Sequence, residues 1–240
     1  PQQIHFRNYL DATKIPGLLQ AAQISIARTL IGTACTVLLA GFLGYMFTRE
    51  TMWKRKLWYR FVVLTMYFNA GIIPWYITMN NLHLTNNFLG YILPTLVSPF
   101  YIILTKTYVE SIPRELQDAA EVDGAGTLKV FFSIILPIIK PILATVAIFA
   151  AVGQWNSYFN ALIYIRSESL QPLQIVLRSI LVGNQTMSAM STGAAAVEAK
   201  QMADLIKYAI IVVSSAPIMC MYPLVQKYFN QGVMLGSLKG

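Results

Sequence analysis

Five stretches of this chain stay apolar for more than twenty residues with almost no charge, and that feature limits what the chain can become. They run from Leu18 to Phe47, Trp58 to Thr78, Phe88 to Val109, Ile142 to Ile165 and Leu205 to Tyr228. A hydrocarbon core of about 30 Å needs roughly 20 apolar residues per helix, and only helices or closed barrels satisfy their backbone polar groups in lipid. No strand alternation long enough for a barrel, internal repeat or low-complexity tract is present. The class is therefore all-α, a polytopic helical membrane protein with five spans. Arg28 and Lys207 lie near the starts of the first and last runs, where long side chains snorkel to the interface.

Charge is scarce, and where it sits matters more than its sum. The 240 residues hold 18 Lys and Arg against 10 Asp and Glu, a net charge of +8. The charged share is 12%, about half that of a soluble domain. Spread so thinly, the basic residues make no dense face for nucleic acid. They set orientation instead. Arg49, Lys54, Arg55, Lys56 and Arg60 follow the first run, while 79–87 has His83 but no Lys or Arg. With Lys106, Arg114, Lys129, Lys140, Lys227 and Lys239, the inner segments carry eleven basic residues, and the outer ones carry Arg7, Lys14, Arg166, Arg178 and Lys200. Residue 1 then lies outside and Gly240 inside. Because residue 1 is Pro and no signal-peptide pattern opens the chain, one further helix is expected upstream and six spans in the intact protein. Cys35 and Cys220 sit in apolar runs and read as small buried hydrophobes. His5 and His83 stand alone, and no metal-ligand set, catalytic triad or paired catalytic carboxylates can be assembled.

Two loops are too long to be plain connectors. The inner one, 110–141, reads as two short amphipathic helices, the first capped by Ser111 or Ile112 with Pro113 in its first turn and ended by Asp123-Gly124. The outer one, 166–203, holds an apolar-rich stretch 172–182 and then a polar, small-residue segment 183–193.

Half of the acids, Glu110, Glu115, Asp118, Glu121 and Asp123, fall within fourteen residues of the inner loop, opposed only by Arg114. At helical spacing Leu116, Ala119, Ala120 and Asp123 share one side, and small side chains let another surface approach closely. An amphipathic helix in the headgroup region is the simpler reading from periodicity alone. Against it, anionic lipid repels such an acidic face, and a protein partner does not. The run Asp118-Ala119-Ala120, three residues, Gly124, nine residues, Ile134, one residue, Leu136-Pro137 resembles the EAA loop of binding-protein-dependent ABC importer permeases. The departure is Asp118, where the family usually has Glu. Ile112-Pro113-Arg114-Glu115-Leu116 precedes the motif, and 154–161 (Gln-Trp-Asn-Ser-Tyr-Phe-Asn-Ala) is similar to the fifth helix of the carbohydrate-importer branch. The tail 232–240 is similar to that of the smaller maltose-importer permease, and the details lean towards importers of acidic oligosaccharides such as alginate or pectin fragments.

The resemblance covers nearly the whole chain and implies an ABC importer type I permease fold in the bacterial inner membrane. It divides the chain into a periplasmic segment 1–17, a permease domain 18–230 and a cytoplasmic tail 231–240 near an ATPase dimer interface. The EAA loop would place Glu115, Asp118, Ala119, Ala120, Asp123 and Gly124 in a cleft of a cytoplasmic ATPase. Its implied partners are a second homologous permease subunit, an ABC ATPase dimer, a solute-binding protein, an oligosaccharide and membrane lipid. ATP and Mg would bind the ATPase subunits, and no cofactor is expected on this chain, which has no GxxxxGK[ST] phosphate loop. The segment 184–193 takes the position of the loop that reaches into the receptor.

Polar groups inside a span are costly against lipid and usually face the bundle interior. Gln154, Asn156 and Asn160 lie in the fourth run beside Trp155 and Tyr158, with Asn156 and Asn160 at i and i+4. Amides and aromatic rings together suit a sugar's hydroxyls and its CH face, and these five residues are the candidate translocation pathway. The competing reading makes the amides permanent bonds between helices. Asn69, Gly71 and Pro74 in the second run, and Ser98-Pro99 in the third, mark kinks, hinges or cavity-lining breaks.

Overall fold

The computed structural model of the chain describes residues 16–190, 207–208, 211–212 and 214–220, and all regular structure among them is helical. Helix α1 spans Leu18–Met46. Its 29 residues reach about 43 Å, enough to cross a bilayer unbroken. One face buries Ala21, Ser25, Arg28, Thr29, Gly32, Thr36, Ala40 and Gly44, small residues apart from the arginine. The opposite face presents Leu19, Ile26, Leu30 and Leu38, as a lipid-facing surface requires. Against the small face pack α5 (Pro99–Glu110) and α8 (Lys140–Asn156).

Only α1 among the described helices passes as a continuous span; Leu89–Thr95 with α5, and Thr127–Ile138 with α8, pass only as bent pairs. The breaks at Gly71 and Ser98-Pro99 fall where the sequence marks them, and two more, at Ile139 and at Ser157, adjoin or interrupt the fourth run. The second run divides into α2 (Arg55–Thr65) and α3 (Ile72–Asn81). Between them Gly71 sits at φ 85°, a left-handed region that favours glycine, and donates its N–H to Asn69 Oδ1 at 2.9 Å. Pro74 then falls in the first turn of α3, where no intrahelical N–H is needed. The third run bends by 47° between α4 (Leu89–Thr95) and α5. Ser98 is extended there, as a residue before proline prefers, and Pro99 starts α5.

In the inner loop, α6 (Glu115–Val122) is followed by α7 (Thr127–Ile138), wound as a π-helix over Phe131–Ile135. Pro137 and Pro141 remove two N–H donors around Ile139, and α7 meets α8 there at 81°. The expected fourth span, 142–165, instead stops at Asn156 and resumes as α9 (Phe159–Tyr164) after extended Ser157. Helix α10 (Leu173–Met190) covers about half of the outer loop, including part of the 184–193 segment read as a loop. The fifth run is described only at 207–208, 211–212 and 214–220, and the tail 231–240 lies outside the described residues.

Apolar packing gathers at the two ends. Tyr45, Val109, Ile112, Val130, Phe131, Ile135, Ile139 and Leu143 join α1, α5, α7 and α8 beneath the inner loop. Met79, Leu84, Tyr91, Ile92, Ala161, Tyr164, Ile165 and Ile175 close the outer end. Between them lies a polar layer.

Candidate functional site

The inner site is built on α6. Ser111 does not cap it; its hydroxyl donates to the Tyr108 carbonyl and finishes α5, and α6 starts four residues later with Glu115 and Asp118 in its first turn. Carboxylates there face the positive end of the helix dipole. At the other end the Ala125 N–H donates to the Ala120 carbonyl at 2.9 Å and the Gly124 N–H to the Glu121 carbonyl at 3.0 Å. That pair of bonds is a Schellman motif, and it needs the φ of 78° that Gly124 adopts. Ala120 and Ala125 turn towards the inner apolar cluster. Glu115, Leu116, Asp118, Ala119, Val122, Asp123 and Gly124 remain exposed, Val122 at 88%.

Two ion pairs tie α6 to the segment after α1. Arg49 bonds Glu121, and Arg114 Nη1 bonds Glu50 Oε1 at 2.9 Å. The Arg49 guanidinium also lies 5.9 Å from the centre of the buried Tyr45 ring. Glu121 holds the Arg49 pKa above its ordinary value, chiefly through their hydrogen bond, and Arg114 in the same way holds the Glu50 carboxyl below its own. Under these links runs a groove of ≈ 490 Å³ lined by Thr48, Arg49, Glu50, Arg114, Asp118 and Glu121 among others.

The embedded site centres on Arg28, which does not snorkel. It is 1% exposed, with its guanidinium 4.4 Å above the Tyr91 ring. Nη1 donates to the Ser157 carbonyl at 3.0 Å, an acceptor left open where α8 stops. Nη2 donates to Gln154 Oε1 at 3.3 Å, and Gln154 Nε2 donates to Thr95 Oγ1 at 2.7 Å. The Thr95 carbonyl would ordinarily receive the N–H of residue 99, which is proline; the Thr36 hydroxyl donates to it instead, at 3.3 Å. Helix α1 thus satisfies polar groups that both helix breaks set free. A cavity of ≈ 420 Å³ opens between α1, the α4–α5 break and the end of α8.

Of the five residues named for a pathway, Gln154 alone lines this cavity. Both its polar ends are engaged between helices, the arrangement the competing reading describes. Trp155 is buried elsewhere, with Nε1 donating to the Ser214 carbonyl at 3.0 Å. Asn156 is exposed, Asn160 half-buried, and Tyr158 lies under Arg178 at 5.2 Å. The break at Ser157 removes the i, i+4 relation between Asn156 and Asn160. Arg28, Arg49 and Thr95 are the participants that the sequence reading did not pick out for a site. Depth was the available signal for Arg28: ten residues into a helix is about 15 Å, beyond the reach of a snorkelling side chain.

A family model described as binding-protein-dependent transport system inner membrane component matches residues 36–235. Protein LplC of Bacillus subtilis (strain 168) is 37% identical over 236 residues, spanning 96% of this chain and 79% of that protein. The polygalacturonan/rhamnogalacturonan transport system permease protein YtcP of the same organism is 35% identical over 236 residues, 97% of this chain and 80% of its own. A solved chain from a bacterial ABC transporter involved in the import of the acidic polysaccharide alginate has a TM-score of 0.82 at 29% identity, covering 94% of this chain and 80% of that one.

Proposed function

This chain belongs to the family of binding-protein-dependent transport system inner membrane components, and from that premise we propose that it is one permease subunit of an ATP-driven oligosaccharide importer. Its place is the bacterial cytoplasmic membrane, crossed several times. A second, similar permease, a pair of ATPase subunits that bind ATP and Mg, and an external solute-binding protein complete the assembly. Relatives named for polygalacturonan/rhamnogalacturonan and for alginate support an acidic oligosaccharide as the cargo.

The observation that carries this reading is α6, an exposed acidic helix with a glycine-fixed end, tethered to α1 by ion pairs. Its free face fits a cleft on the ATPase: Glu115, Asp118 and Asp123 offer acceptors to basic or donor groups, and Ala119 permits close approach. Closure of the ATPase dimer on ATP moves α6, and the Arg49–Glu121 and Arg114–Glu50 links carry that movement to the inner end of α1. Because α1 packs along α5 and α8, the bundle follows. ATP stabilises one of two conformations more than the other, and that difference is what shifts the transporter between inward- and outward-open states.

The test is a bulky residue at Gly124. A Cβ there meets no atom within 4 Å, so the chain's own packing tolerates it, while the positive φ and the docking surface do not. Gly124→Trp is expected to leave membrane insertion intact and to uncouple receptor-stimulated ATP hydrolysis from uptake in vesicles. Normal uptake per ATP hydrolysed would remove α6 from the coupling path.

A further inference from the structure

Arg28 is a full charge deep in a membrane-crossing helix, and none of its contacts in the described structure is a carboxylate. The Ser157 carbonyl, the Gln154 amide and the Tyr91 ring satisfy donors without cancelling the charge. The end of the α8 dipole offsets a part of it. The Nε–H is buried and has no acceptor among the described residues. A buried cation of this kind is retained where a counter-charge meets it, and in membrane proteins such residues mark substrate pathways. The adjoining cavity of ≈ 420 Å³ lies in the size range of small-molecule sites. Arg28, Thr36, Thr95, Ser98, Tyr101, Gln154 and Ser157 supply its polar lining, and among the described residues no Asp or Glu lines it.

We propose that Arg28 makes this cavity anion-selective, so that the sugar passing it carries carboxylates of the uronate type. The proposal rests on the reading of the chain as an oligosaccharide permease. At 1% exposure the guanidinium stands behind Gln154 and Ser157 rather than in the open. Arg28 is therefore a positioning residue for selectivity: its field crosses a wall of low dielectric constant, and it holds the Gln154 side chain in the cavity wall. The hydroxyls of Thr36, Thr95 and Tyr101 are suited to the neutral part of the sugar.

The experiment uses the complete assembly in liposomes, with trigalacturonate and its methyl ester as probes, which differ in charge and hardly in shape. The receptor is the same throughout, so its own preference cancels in the ratio of variant to parent. Arg28→Gln is expected to lower trigalacturonate uptake about tenfold or more while changing ester uptake less than about twofold, a discrimination that one charge supports at an effective dielectric constant near 20. Arg28→Lys keeps the charge and retains the preference. Gln154→Glu neutralises the site with almost no change of shape and reproduces the selective loss, which keeps the proposal testable if Arg28→Gln does not assemble. Parallel loss of both probes in assembled Arg28→Gln or Gln154→Glu would make Arg28 a structural strut and overturn the proposal. So would an equal loss of both probes in Glu198→Gln or Asp204→Asn matching that of Arg28→Gln, which would mark an ion pair within the chain. If the parent takes ester and acid equally, selectivity fails while the permease reading stands. If no oligosaccharide-loaded receptor stimulates the parent, that reading fails as well.

Discussion

Glu50 and Arg114 are joined by a hydrogen bond of 2.9 Å although both side chains are 70% exposed. Such a pair contributes little to stability, because water screens it. It does leave a titration signature. Arg114 favours the charged carboxylate, so Glu50 titrates below the ordinary carboxylate value in the folded protein. A depressed folded pKa stabilises above the unfolded value, and the contribution fades as pH falls through the folded one. Side-chain NMR of ¹³C-labelled Glu50 should give a pKa below that of an unstructured glutamate, returning towards it in Arg114→Gln and in high salt. An unchanged pKa in Arg114→Gln would mean that the link does not persist in solution. Arg28 and Arg49 show the same principle at lower exposure: what an arginine does depends on which groups enclose it, and sequence position reports only its depth.

Helices supply the next scale, and here close approach decides. A Cβ on Gly44 would lie 2.8 Å from Thr105 Cβ and 3.0 Å from the backbone nitrogen of Lys106. Neither atom can swing aside, because one begins its side chain and the other is main chain. Gly44→Ala should therefore push α1 from α5 and cost about 1–3 kcal/mol, the usual range for overpacking. Gly153, where a Cβ meets nothing within 4 Å, is the control, and Gly153→Ala should leave the midpoint of thermal unfolding in detergent unchanged or raised. Equal midpoints for the two variants would show that α1 and α5 are not in register as described. The apolar runs and their helical class were legible in the sequence, since burial in lipid acts over twenty residues at a time. Breaks of one to six residues vanish in such averages. Proline and glycine still mark those at Pro99, Pro137 and Gly71, but nothing local marks Ser157, because the group that donates to its open carbonyl, Arg28, lies 129 positions away. Helix α6 was legible because its glycine, alanines and acids act within one short segment. The side-chain grouping named as a candidate pathway was less so, since Asn156 and Asn160 are separated by that unmarked break.

At the scale of the molecule, the inner and embedded sites share one element. Helix α1 begins outside the polar layer, passes Arg28 beside the cavity, and ends three residues before Arg49 beneath α6. A force on α6 therefore has a mechanical route to the cavity wall, provided the Arg49–Glu121 contact transmits it. The Arg49 side chain is 12% exposed and that of Glu121 38%, so the pair is partly shielded, and removing one partner leaves the other short of an acceptor or donor. Glu121→Gln should lower sugar transported per ATP hydrolysed by about fivefold or more, a coupling free energy of ordinary size for communication between sites. The exchanged pair, Arg49→Glu with Glu121→Arg, restores the attraction with reversed sign and should recover part of that loss. A double-mutant cycle on the transport-to-hydrolysis ratio separates this link from general damage, because damage adds whereas a contact compensates. Additive losses would place the transmission elsewhere, in the apolar packing of Ala120 and Ala125 against the inner cluster, and α1 would then follow α6 by contact rather than by charge.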